Sequence, residues 1–219
     1  LVFLFFLNFA ILTYFPALGF PLTEPRNYFF ANLLYMTVNF AVMLLIFRRT
    51  LWQSLREFEG KMLLSVLIGF GMCYGANLVL TTAYTVLDIM PENYNQEAVN
   101  SLLGGYPLAM TLCTVVLAPL AEECLFRGVL FAPLARRCLP AAYALSMFLF
   151  AGMHVFQFLG SMTAANTILC LSLYLPASFS LCWVYQKTGN IWASIFLHMF
   201  INFQSVLASL LRSLMQAFL

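Results

Sequence analysis

Residues 106–134 read YPLAMTLCTVVLAPLAEECLFRGVLFAPL. The stretch holds three formal charges, Glu122, Glu123 and Arg127, and is otherwise dominated by Leu, Ala, Val and Phe. About 20 largely apolar residues suffice for a helix to cross the ~30 Å hydrocarbon core of a bilayer. A helix is also the form that pairs its backbone polar groups internally, and the continuous apolar run lacks the alternation of a barrel strand. Working outward on the same length rule gives further spans over 1–20, 28–47, 62–88, 139–159, 162–186 and 190–217. Breakers stand between them at Pro21, Pro25, Gly60, Pro91, Gly104, Gly105, Pro140, Gly160 and Gly189. The fold expected is therefore an all-α, polytopic transmembrane helix bundle of about seven spans, eight if further sequence precedes Leu1. It should form a single transmembrane domain over 1–219.

Composition agrees. Of 219 residues, 63% are hydrophobic and 8% charged, against about 45–50% and about 25% in soluble domains. So few charges cannot cover a water-soluble body, and a disordered chain is excluded for the same reason. Ten basic against eight acidic residues leave too little positive excess for a nucleic-acid surface. The six cysteines stand singly, with no CxxC pair to suggest a disulfide framework or a zinc knuckle. The run Leu1–Phe6 reads as part of a span, since no positive segment precedes it as in a signal peptide.

Basic residues set the orientation. Arg48, Arg49, Arg56 and Lys61 fall in one connection, Arg136 and Arg137 in another, and Lys187 in a third. The alternate connections are poor in them, with Arg26 the exception. The loops with Arg48/Arg49 and Arg136/Arg137 are thus expected in the cytoplasm, and the 89–105 connection outside. Segment 49–61 reads as a short interfacial helix. The 190–217 span then starts on the cytoplasmic side and places His198 about 12 Å deep. The site is accordingly expected to open toward the arginine-bearing half.

Ionisable groups inside spans are costly and mark function. Besides Glu122, Glu123 and Arg127, both histidines of the chain, His154 and His198, fall within apolar runs, with Asn202 four residues beyond His198. Glu123 and Arg127, four apart with the acid first, suit a same-face ion pair. Glu122 points about 100° away and has no cation on its own helix. Such a carboxylate can serve as general base toward water. His198 and Asn202 share a face, where an imidazole N–H and an amide NH₂ could clamp an oxyanion.

Three ordered motifs carry a resemblance. Glu122-Glu123…Arg127, Phe150…His154 and His198…Asn202 match EExxxR, FxxxH and HxxxN, and the chain resembles the CPBP (CAAX protease and bacteriocin-processing, Abi) family of intramembrane glutamate proteases. The likeness covers about residues 107–205, which would form the catalytic core. It implies an intramembrane endopeptidase that hydrolyses a membrane-associated peptide or lipidated protein tail. Glu122 would activate water with His154 helping to hold it, while His198 and Asn202 stabilise the oxyanion. Glu123 and Arg127 would support the architecture, and Phe150 would shape the pocket. No cofactor is implied, and the partners expected are the bilayer, the substrate and a possible regulatory membrane protein. The setting expected is a bacterial cell membrane.

Rival readings are concrete. A catalytically inactive scaffold of the same fold would bind and regulate a partner. A small transporter would use a Glu/His proton relay, but no inverted repeat is found. Cys124 beside the acids could be a nucleophile, though a buried thiol more often behaves as a small hydrophobe. Glu122, His154 and His198 could in principle bind zinc. The sequence has no HExxH, and the reading is metal-free chemistry.

Overall fold

The computed structural model describes the backbone of residues 2–217, and the side chains of all of these except residues 2–6, 8, 9, 12 and 217. Among the described residues there is no strand. The helices are α1 (Val2–Ala17), α2 (Pro25–Arg56), α3 (Met62–Val86), α4 (Tyr94–Gly105), α5 (Pro107–Ala135), α6 (Leu139–Ser161), α7 (Ala164–Thr188) and α8 (Ile191–Ala217). Six of them, α2, α3 and α5 to α8, are long and apolar enough to cross a membrane. The chain is a multi-pass helical membrane protein.

Three details differ from expectation. The first span, over 1–20, is met by α1, which ends at Ala17; Leu1 lies outside the described residues. Segment 49–61 is not a separate interfacial helix. The backbone of α2 runs unbroken to Arg56, and Leu51 and Ser54 in its last turns are buried. The 89–105 connection contains α4, whose start is capped by Asn93 accepting from the Gln96 N–H at 3.1 Å.

Pro25 and Pro140, read as breakers, act here as starters, as does Pro107. Pro25, Pro107 and Pro140 stand in the first turns of α2, α5 and α6, where a missing N–H costs nothing. Gly189 ends α7 at a φ of 64°, a left-handed backbone that glycine adopts freely. The next residue begins a knot. Asn190 Oδ1 accepts from the Trp192 N–H at 2.9 Å and from Ser54 Oγ at 2.8 Å. Its Nδ2 donates to the Ser54 carbonyl at 2.7 Å, and Ser54 Oγ accepts from the Ile191 N–H at 3.1 Å. Trp192 Nε1 donates to the Leu51 carbonyl at 2.8 Å. Orphan N–H groups at the start of α8 and the orphan Ser54 carbonyl at the end of α2 are thus satisfied by the Ser54 and Asn190 side chains.

Tight packing lies around that end. Leu51, Val66, Leu125, Phe126, Leu181, Val184, Ile195 and Leu197 form one buried cluster. In lipid the hydrophobic effect does not drive helices together, so close approach at small residues must do it. A Cβ at Gly69 would lie 2.5 Å from Val184 and 2.9 Å from Leu197, and one at Gly128 2.7 Å from Phe47. At the opposite end a smaller cluster of Phe29, Leu102, Leu103, Met110 and Val206 seats α4.

Candidate active site

Helix α5 is not a uniform coil. Residues Cys113–Leu117 and Cys124–Phe131 are wound in the wider π form, with Ala118 donating to the Cys113 carbonyl and Ala132 to that of Arg127. Such turns recur at functional sites. Between them Ala118–Glu123 is α-helical, so the angle expected between Glu122 and Glu123 holds locally. Pro119 has no N–H to give the Thr114 carbonyl in the π register. Asn202 Nδ2 of α8 donates to that carbonyl instead, at 2.8 Å.

The two glutamates have opposite surroundings. Glu123 has no exposed side-chain surface and pairs with Arg127, likewise fully buried, at 3.0 Å. Arg127 Nη2 reaches across to the Ser178 carbonyl of α7 at 3.1 Å. Glu123 Oε1 also accepts from His198 Nδ1 at 2.9 Å. A carboxylate accepts only, so Nδ1 carries a proton. The other ring nitrogen, Nε2, stands 3.9 Å from Glu122 Oε2. The side chain of Glu122 keeps 18% of its surface exposed and lines a cavity of about 250 Å³. His198 therefore bridges the two acids.

His154 and Asn202 line the same cavity as Glu122, and His198 does not. His154 Nδ1 donates to the Phe150 carbonyl at 2.9 Å, which leaves Nε2 as the ring's acceptor in the neutral form. Phe150 is 2% exposed and lies behind the imidazoles, its ring centroid 4.7 Å from that of His154 and 5.6 Å from that of His198. The Arg127 guanidinium covers it at 5.2 Å, within cation–π range. Phe150 is thus packing between the two halves of the site rather than a wall of the cavity. Cys124 is fully buried and is not among the lining residues.

Several site residues were invisible in the sequence. Tyr174 of α7 stacks on His154 with centroids 4.6 Å apart and planes at 25°. Its hydroxyl donates to Asn93 Oδ1 at 3.0 Å and accepts from Asn95 Nδ2 at 3.2 Å, tying the imidazole to α4. Tyr35 and Asn39 of α2 also face the cavity. The one available signal was polarity, since each interrupts an otherwise apolar span.

The direction of the opening is a correction. The lining comes from the first half of α2, from α4, from the end of α6 and from Ser205 and Val206 beyond Asn202. These lie away from Arg48, Arg49, Arg136, Arg137 and Lys187. The expectation counted depth to His198, but the cavity runs onward from Asn202 because the Ser54–Asn190 knot and its cluster close the nearer end. Among the described residues, no group of three or more His, Cys, Asp or Glu side chains is arranged to hold a metal ion.

Comparison with known proteins bears on the same residues. Residues 104–204 match the family model described as type II CAAX prenyl endopeptidase Rce1-like. That segment is similar to the Rce1-like family. It contains every motif position, from Glu122 to Asn202. Across 166 residues the chain is 28% identical to the "Putative membrane peptidase YdiL" of Bacillus subtilis (strain 168), covering 74% of this chain. The chain spans 64% of the length of that curated relative. No solved structure matches it. The Rce1-like segment supplies the acids and both histidines, while α2 and α4, which lie wholly or almost wholly before it, supply much of the cavity wall.

Proposed function

We propose that this chain is a membrane endopeptidase that hydrolyses a membrane-associated peptide with water activated by Glu122. The observation that carries the reading is the asymmetry of the acids. Glu123 is sealed against Arg127, while Glu122 opens onto a cavity shared with His154 and Asn202. Glu122 takes the proton of a water held by His154 Nε2 as the hydroxide attacks the scissile carbonyl, and returns it to the departing amine as the C–N bond breaks. Asn202, which has a second N–H besides the one given to Thr114, stabilises the oxyanion together with His198. To donate there, His198 Nε2 must carry a ring proton in addition to the one that Nδ1 gives to Glu123. Glu123 and Arg127 act as positioning residues, and Phe150 holds the rings apart.

The chemistry is read as metal-free, so chelators should leave turnover intact; inhibition reversed by added zinc would overturn this. The deciding experiment is a single turnover of the purified protein in proteoliposomes with ¹⁸O-labelled water. Label should enter the new carboxylate directly, and Glu122→Gln should abolish the product. A trapped acyl-enzyme would refute the mechanism. A cellular phenotype that survives Glu122→Gln would favour the scaffold.

By the positive-inside rule the arginine-bearing loops lie in the cytoplasm of a bacterial cell, so the mouth faces the opposite side. Cys138, exposed beside Arg137, is a native reporter. An impermeant maleimide on intact cells should label Glu97→Cys on α4 and spare Cys138; the reverse pattern inverts the topology.

A further inference from the structure

Resting on the peptidase reading, we propose that Tyr174 is a positioning residue of the reaction. It holds the His154 imidazole at the tilt from which Nε2 accepts the water's hydrogen bond, and the start of α4 in turn holds Tyr174. His154 needs such support. It stands two residues before the coil of α6 tightens to the 3₁₀ form at Phe156. One hydrogen bond, from Nδ1 to the Phe150 carbonyl at 2.9 Å, fixes an edge of its ring. A single bond of that kind leaves the ring free to swing about the N–H···O axis. The Nε2 lone pair lies in the ring plane and swings with it. A contact on the ring's face stops that motion. Phe150 meets the imidazole at an inclined 42°. Tyr174 meets it near-parallel, with planes at 25° and centroids 4.6 Å apart, within the range of favourable aromatic pairs.

Tyr174 is itself fixed at its far end. Its hydroxyl donates to Asn93 Oδ1 at 3.0 Å and accepts from Asn95 Nδ2 at 3.2 Å, which engages both its donor and an acceptor lone pair. Asn93 is a firm partner, because the same Oδ1 caps α4 by accepting from the Gln96 N–H at 3.1 Å. The residue before it is bound as well. The Glu92 N–H donates to Asn166 Oδ1 at 2.9 Å, and the Glu92 carbonyl accepts from Asn166 Nδ2 at 3.1 Å and from the Cys170 thiol. Asn166, Cys170 and Tyr174 are four apart on α7. One stripe of that helix therefore grips the start of α4, and its last member also covers His154. Tyr174 lines the cavity together with Glu122 and His154, which puts the stack at the site rather than behind it. A phenylalanine here would keep the stack and lose the tie to α4; an aliphatic residue would lose both.

The test uses the full chain in nanodiscs. The probe is the lipid-anchored peptide that wild type cuts fastest from a synthetic library, followed by mass spectrometry with Glu122→Gln as blank. Tyr174→Leu should lower kcat about 10–100-fold, up to the cost of misplacing a catalytic group by ~1 Å. KM should stay within about twofold, as for a residue that acts in the transition state alone. Tyr174→Phe should recover most of that loss, to within about tenfold of wild type, since only the hydroxyl's hydrogen bonds are missing. The chain has two histidines, so selective labelling gives two imidazole signals. In Tyr174→Leu the His154 signal should move, through loss of the ring current, while the His198 signal stays. In wild type an NOE should join the Tyr174 ring to the His154 imidazole, a measurement that needs no variant to fold. Absence of that NOE, or a Tyr174→Leu variant with wild-type kcat, overturns the inference. So does a loss that falls on KM, or one that Tyr174→Phe does not recover at all, since each gives Tyr174 a different role. If wild type shows the NOE but cuts nothing above the blank, the failure lies in the peptidase reading, and Tyr174 has no reaction to serve.

Discussion

The bundle has two unlike halves along its length. Near the arginine-bearing loops, α3, α7 and α8 approach at Gly69, and the end of α2 is tied to the start of α8 by the Ser54–Asn190 knot. At the other end, α4 and the first half of α2 stand apart around a cavity of about 250 Å³. The adjacent glutamates of α5 divide between these halves. Glu123 belongs to the dry one, tied to Arg127 and His198, and Glu122 to the open one. A single 100° step around a helix separates a sealed, paired carboxylate from one that faces a cavity. His198, touching both acids, is where rigidity in one half becomes geometry in the other.

The comparison can be broken most sharply at Glu122. Glu122→Gln should lower kcat by about 10²–10⁴, the usual range for a general base, while thermal stability in detergent stays near wild type. A large loss of stability would place Glu122 in the structural half. Arg127→Ala should do the opposite. Removing one partner of a buried pair costs about 3–5 kcal/mol, so the variant should express poorly or melt early. Normal melting would show the Glu123 pair to be dispensable.

Asn202 belongs to both halves, so its variant sharpens the contrast. Asn202→Ala should reduce kcat about 10²–10³, as for other oxyanion donors, with a smaller fall in melting temperature from the orphaned Thr114 carbonyl. If only stability changes, Asn202 is a structural tie alone. The smallest effect is expected at the far end. Ser54→Ala should cost about 1–3 kcal/mol by stranding the Asn190 amide, leaving kcat of the folded fraction unaltered; a kcat defect would show that the knot sets the position of His198.

The spans were legible because length and apolarity are local properties, and so were the motif positions, whose spacing lies within single helices. The relations between helices were not. Arg48 and Arg49 suggested a break that α2 does not have, since its last turns are held by Asn190, 136 residues away from Ser54. The π turns of α5 have no periodic signature in an apolar run. Tyr174 belongs to no motif, and its stacking on His154 depends on how α6 and α7 meet. The cavity's direction failed for the same reason: depth along one helix says nothing of which neighbours stand apart.

The Thr114 carbonyl has a consequence for how the protein is made. Pro119 denies it a donor from its own coil, and the amide that serves it arrives with the last helix. A nascent chain halted after α7 would hold its acid on a half-finished span, with a bare oxygen in oil. Assembly of the candidate site must therefore await α8, which brings both Asn202 and His198 to the helix that carries the two acids.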